Sequence, residues 1–170
     1  MNDPFARLPE AASFTVTSES FTDGAAFGER QRSGMDLSPQ LSWSGAPEGT
    51  HSYAVTVYDP DAPTGSGFWH WAVADIPATV TSLVEGAGDD AGEQLPAGAY
   101  QLPNDVRLAR FVGAAPPAGH GQHRYFVVVH ALDVATIGVP ADATPAYLGF
   151  TMASHILGRA VLMATAETPA

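Results

Sequence analysis

Apolar and polar positions alternate in short runs along most of this chain. SFTVTSESF at 13–21 sets Phe14 and Val16 among Thr and Ser, and LSW at 41–43 is a shorter apolar run. YAVTVYD at 53–59 and WHWAVADIP at 69–77 are β-branched and aromatic, and RYFVVVHALD at 124–133 is apolar on both faces. Period-two alternation belongs to strands with one covered face, and a run apolar throughout belongs to a central strand covered on both. The chain's 17 Gly and 14 Pro fall between these runs as turns and breaks. The pattern predicts a mainly β fold with mostly antiparallel neighbours.

Two regions depart from it. From Pro145, PAYLGFTMASHILGRAVLMATA places Leu148, Met152, Ile156, Leu157, Ala160, Val161 and Ala164 near helical spacing, which predicts a C-terminal helix over that stretch. Residues 85–105 show no periodicity and read as a long irregular loop. No internal repeat is present. The expected organisation is a short N-terminal tail (1–12), one β domain (13–165) and a short C-terminal tail (166–170).

Composition narrows the partners. The chain has 170 residues, and its 18 acids against 7 bases give a net charge of -11. That balance argues against nucleic acid and against docking on an anionic membrane surface, both of which need clustered Lys and Arg. There is no cysteine, which excludes disulfides and thiolate metal sites. MNDPFARLPEAAS lacks a basic start followed by an apolar run, and no stretch is long and apolar enough for a membrane span. A cytoplasmic location is expected.

Candidate chemistry gathers in two segments. In YAVTVYDPDAPTGSGFWHWAVADIP, two strand-like runs flank PDAPTGSGF. Paired as a hairpin, they set Asp59 beside His70. Pro60 ends the first strand, Pro63 stiffens the loop, and Thr64–Gly67 turn it. Asp61 can share a side with Asp59. In VGAAPPAGHGQHRYFVVVHALD, Pro116 and Pro117 fix an extended path, Gly119 and Gly121 admit close backbone approach, and His120 and His123 sit at a strand's mouth. A carboxylate with imidazoles, tight backbone and aromatics suits a small anion with a polar head, such as a phosphate monoester. His120, His123 and Asp59 could instead chelate a metal, but no supporting carboxylate is evident, and neither metal nor cofactor is expected. His130 is expected packed or hydrogen-bonded in its strand. His51 and His155 have no evident companions. Arg124 is expected to pair with an acid, with Asp75 and Asp133 as candidates. Trp43, Trp69 and Trp71 read as core aromatics, and the acids at 85–93 as a solvated loop.

DPDAPTGSGFWHWAVADIPA resembles the first signature of the phosphatidylethanolamine-binding protein family, and GAAPPAGHGQHRYFVVVHAL resembles the second. SPQLSWSGAPEGTHSYAVTVYDPDAP is similar to its bacterial, Raf-kinase-inhibitor-like branch, and the resemblance runs from about Ser13 to Ala164. Two long signatures in the same order are far more specific than a short pattern. The resemblance implies a large antiparallel sheet packed with a smaller sheet, a C-terminal helix, and a pocket at one end of the strands. Carried over by position, Asp59, Pro63, His70, Pro117, His123 and Tyr125 would form that pocket, with His120 beside them and Asp61 bracing the loop. The stretch NDVRLARFVGAA departs from the bacterial pattern, so Arg107, Arg110 and Phe111 are expected to reshape the rim. ATAETPA lacks the terminal Tyr of some eukaryotic members.

The leading expectation is a binding module for phosphate or a phospholipid headgroup, in which His70 or His123 takes a proton. The alternative is a metal-free acid–base enzyme, an isomerase, cyclase or hydrolase, using Asp59, His70 and His123 on a small metabolite. A third class is implied by the resemblance: a protein partner, a kinase or a protease, with a homodimer also expected.

Overall fold

In the computed structural model of the chain, residues 3–170 are described. Nine strands, one α-helix and a short 3-10 helix (Glu29–Gln31) occur among them. The strands and the α-helix are β1 (Ala12–Ser13), β2 (Thr15–Thr17), β3 (Leu41–Ser44), β4 (Ser52–Asp59), β5 (Phe68–Pro77), β6 (Ser82–Leu83), β7 (Tyr100–Gln101), β8 (His123–Leu132), α1 (Pro145–Met152) and β9 (Ile156–Ala166). The large sheet has the order β1-β9-β8-β4-β5-β7, and the small one β2-β3-β6. All pairs are antiparallel except β1 with β9, so the large sheet is mixed rather than wholly antiparallel.

Both faces of the large sheet are covered, which is why β4 and β8 read as apolar throughout. One face carries Val55, Val57, Trp71, Val73, Tyr125, Val127 and Val129 against Val16, Leu41, Trp43 and Leu83 of the small sheet. The other carries Ala54, Ala72, Ala74 and Leu132 against Leu148 and Met152 of α1. Alanine on that face lets the short helix sit close to the sheet.

The C-terminal stretch corrects the sequence reading. The helix stops at Met152, and the remainder is the longest strand of the fold. Thr144 caps the helix by accepting from the Tyr147 N–H (3.2 Å), and Pro145 occupies its first turn, as helix starts favour. A turn at 153–155 then breaks it. In β9, Gly158, Ala160, Leu162, Ala164 and Ala166 are buried while Val161 is exposed, a period-two pattern. Apolar residues fill nearly every position there, so helical and strand periods both matched. Pairing with β8 along ten residues of β9 decides between them.

The first and last described segments both pack on the domain. Phe5 meets Phe126 edge-on at 5.5 Å, and Arg32 donates to the Glu167 carbonyl (2.9 Å). Leu148 is fully buried and anchors α1 to the alanine face. Leu148→Ala is expected to cost about 2–5 kcal/mol in urea denaturation, the range for emptying a packed core site.

Candidate functional site

The site begins where β4 must stop. Pro60 has no N–H to extend the ladder, so Asp59 is the last paired residue, opposite Phe68. The β4–β5 pairing runs Val57 to Trp71 and then Tyr58 to Trp69, which leaves His70 as an extra residue on β5. Such a bulge breaks the alternation of side chains. Trp69 therefore turns toward the helix side, where alternation along β4 has placed Tyr58, and the two rings lie 4.4 Å apart. Asp59, Phe68 and His70 turn together toward the opposite cavity.

Asp59 is 3% exposed and engaged on both oxygens. Its Oδ1 accepts from the N–H groups of Asp61 (2.8 Å) and Ala62 (3.1 Å), folding the DPDAP loop back on itself. Its Oδ2 accepts from Nδ1 of His123 (2.8 Å). An ionised carboxylate only accepts, so His123 carries its proton on Nδ1. Nε2 of His123 then accepts from Nδ1 of His120 at 2.7 Å. The result is a chain of carboxylate, buried imidazole and outer imidazole.

His70 is held differently. Its Nδ1 donates to the Val112 carbonyl (2.8 Å), and Val112 N–H returns to the His70 carbonyl (3.1 Å). The ring lies between Phe68 (4.7 Å) and Tyr125 (5.1 Å). Burial lowers its pKa, so the imidazole is neutral and Nε2 is left with a lone pair and no protein partner. The Tyr125 hydroxyl is also buried and makes no hydrogen bond of ordinary geometry; burial, then the Asp59 charge and a weak contact with that carboxylate, raise its pKa and keep it a phenol.

These groups open on a cavity of about 360 Å³. Asp59, Pro63, His70, Pro117, His123 and Tyr125 all line it. Asp61 and His120 stand behind that lining. Asp61 binds Arg124 through its backbone N–H (3.0 Å), Nε (2.7 Å) and Nη2 (2.7 Å). The expected partners of Arg124, Asp75 and Asp133, are engaged elsewhere: Asp75 accepts from Ile137 N–H and Asp133 pairs with His155. His155 therefore has a companion that its sequence neighbours did not reveal.

On the opposite wall, Ser33 and Asp36 were not read from the sequence, while the stretch from 104 to 115 was expected at the rim. Ser33, Asp36, Val106, Val112 and Gly113 line that wall. Oδ1 of Asp36 accepts from Gly113 N–H (2.7 Å), and a Cβ at Gly113 would lie 2.2 Å from the Arg32 carbonyl carbon. Only the glycine next to the AAPP run hinted at this close approach. The divergent stretch does form part of the cavity wall, but through Val106, Val112, Gly113 and Ala115 rather than through the expected Arg107, Arg110 and Phe111. Arg110 pairs with Asp90 (2.7 Å), and Phe111 is 1% exposed in the core beside Trp71.

Known proteins can now be set beside this geometry. The chain matches the phosphatidylethanolamine-binding protein family over residues 17–167. It belongs to that family. It is 46% identical to the UPF0098 protein YbcL of Escherichia coli K12 over 157 residues, covering 89% of this chain and 86% of the relative. Identity to the E. coli UPF0098 protein YbhB is 44% over 131 residues, covering 77% and 82%. The crystal structure of E. coli YbcL superposes with a TM-score of 0.89 at 43% identity, over 92% of this chain and 99% of the other. The phosphatidylethanolamine-binding protein fold expected from the two signatures is thus present, with a mixed large sheet and a shortened helix. No helix among the described residues is long and apolar enough to cross a membrane.

Arg124 holds the Asp61 carboxyl below the usual carboxylate range, chiefly through its side-chain hydrogen bonds. A depressed folded-state pKa gives stability that is present above the unfolded value of about 3.9 and lost as pH falls through the folded one. Asp61→Asn is expected to lower stability by about 1–3 kcal/mol at neutral pH. Urea midpoints should show that difference shrinking as the pH is taken below about 4.

Proposed function

We propose that this cavity binds a small anion, phosphate or a phosphoryl headgroup. The observation that carries the reading is two polar groups at one cavity of about 360 Å³: the Tyr125 hydroxyl, buried without a close partner, and His70 Nε2, to which no protein group is bonded. Buried polar groups without partners are costly, and a bound acceptor relieves that cost. The Asp59 charge does not forbid an anion, because both its oxygens receive donors from the protein. The phenol donates as it stands. His70 donates once Nε2 takes a proton, which an incoming negative charge favours. Proton uptake thereby accompanies binding, and His70 replaces the either-or between His70 and His123 left open by the sequence.

A second reading is favoured by the Asp59–His123–His120 chain, the arrangement that orients an imidazole for proton transfer. In it, the domain is a metal-free acid–base enzyme acting on a small metabolite. Modulation of a kinase or protease is a further proposal. There a partner's phosphoryl or carboxylate group takes the place of the free anion. A cytoplasmic site of action and a homodimer belong to the same proposal.

Calorimetry with phosphate and with sulfate tests the leading reading. Sulfate keeps its charge between pH 8 and 6, so it isolates the protein's proton. Affinity for sulfate should rise as pH falls over that range, by at most about tenfold per pH unit for one coupled proton. His70→Phe should remove the pH dependence and weaken binding by about tenfold or more, the loss of one charge-assisted hydrogen bond. His123→Ala should abolish binding while the circular dichroism spectrum stays native. Flat affinity in the wild type, or undiminished affinity in His70→Phe, would contradict the reading.

A further inference from the structure

A second cavity, of about 250 Å³, lies on the opposite face of the large sheet. Residues Pro4–Pro9 and helix α1 roof it, and its walls include Phe5, Leu8, Tyr58, Trp69, Met152 and Ile156. The bulge at His70 sends Trp69 to this side, beside Tyr58, which regular alternation along β4 already places here. Set into these apolar walls are Thr56, His130 and Arg159. His130 on β8 and Arg159 on β9 are direct cross-strand partners, so their side chains leave the sheet together.

Neither polar residue is satisfied. His130 is 3% exposed, and its Nε2 meets the Thr56 hydroxyl at 3.0 Å. Its Nδ1 is buried without any partner. Burial and the neighbouring Arg159 push its pKa down to about 3, so the ring is neutral. Arg159 donates from Nη1 to the Pro9 carbonyl (2.8 Å), while its Nε is buried without a partner. In a chain with 18 acids, no carboxylate pairs with this guanidinium among the described residues. With the Thr56 hydroxyl donating to Nε2, His130 keeps Nδ1–H as an unused donor, and its cross-strand partner Arg159 keeps an unused Nε–H.

We infer that this cavity is a binding site for a small monocarboxylate with an apolar body, its carboxylate taken by Arg159 and His130. One guanidinium and one neutral imidazole balance a single negative charge. A phosphate dianion would be undercompensated among these apolar walls. The guanidinium edge matches the planar carboxylate, and the aromatic walls accept the rest of the molecule. The volume, below the roughly 300–1,000 Å³ of drug-sized pockets, restricts the ligand to a small one. The large sheet separates this site from the Asp59 cavity, so its ligand is independent of the anion proposed there.

The test follows the Trp69 indole, His130 imidazole and Ile156 methyl signals by NMR. The full chain is titrated with benzoate, hexanoate, benzamide and phosphate. Benzoate and hexanoate should shift all three signals saturably below about 10 mM, a weak-ligand range. Benzamide should bind about tenfold more weakly or worse, having lost the charge that Arg159 meets. Phosphate should leave these signals unmoved. Arg159→Met should reduce benzoate affinity by about tenfold or more, with its melting midpoint and its response to phosphate at Tyr125 retained. His123→Ala should bind benzoate as the wild type does. Failure of the phosphate response alone would count against the anion reading and leave this one standing. Three results would overturn the present inference: no saturation by either carboxylate, equal binding of benzoate and benzamide, or carboxylate shifts at His70 and Tyr125 instead. The acid–amide comparison uses only the wild type, so it decides the matter even if Arg159→Met fails to fold.

Discussion

The hydrogen bond from His123 Nδ1 to the Asp59 carboxylate, 2.8 Å long and sealed from solvent, joins two segments far apart in sequence. On one side, the same carboxylate folds the DPDAP loop through the Asp61 and Ala62 N–H groups. On the other, His123 opens β8, whose next residue, Arg124, clamps Asp61. Loop and strand are thus tied twice, once inside the cavity by Asp59 and once outside by Asp61. Loss of the inner tie would leave a buried carboxylate and a buried imidazole each without its partner, a costlier state than having neither.

The bulge at His70 divides the chemistry between the two faces of the sheet. One extra residue on β5 brings Phe68 and His70 to the Asp59 side and sends Trp69 to the other, where β4 presents Tyr58. Each face then holds a cavity with a neutral buried histidine short of one partner. His70 lacks a partner at Nε2 and His130 at Nδ1. The surroundings separate their roles. His70 sits with a phenol and an internally satisfied carboxylate, whereas His130 sits with an unpaired guanidinium. In the proposed reading the first cavity gains its charge by taking up a proton with the anion, whereas the second already holds the Arg159 guanidinium.

Much of this was legible in the sequence because strand pattern and proline placement act locally. Pro60 ends a strand wherever it occurs, and the hairpin that follows brings Asp59 to the start of β5. The two signatures supplied the residues of one wall. On the opposite wall, Ser33 and Asp36 were not legible: they come from a segment without strand period, and only tertiary contact through Gly113 brings them in. The strand at 156–166 was hidden because its apolar residues satisfy both periods, and pairing with β8 decides. Arg124 found Asp61 rather than Asp75 or Asp133 because the loop folds back, which spacing along the chain does not encode. The His130–Arg159 pair had no sequence signal at all, since a register between two strands creates it.

Long-range nitrogen–proton NMR of the histidine rings at neutral pH reads directly where the protons of His123 and His70 lie. His123 should appear as the Nδ1–H form, fixed by the Asp59 carboxylate, and His70 as a neutral Nδ1–H ring with a bare Nε2. If His123 carries its proton on Nε2, or His70 is protonated or carries its proton on Nε2 without ligand, the carboxylate does not join the two segments in the way described and the cavity is not poised to take up a proton with an anion.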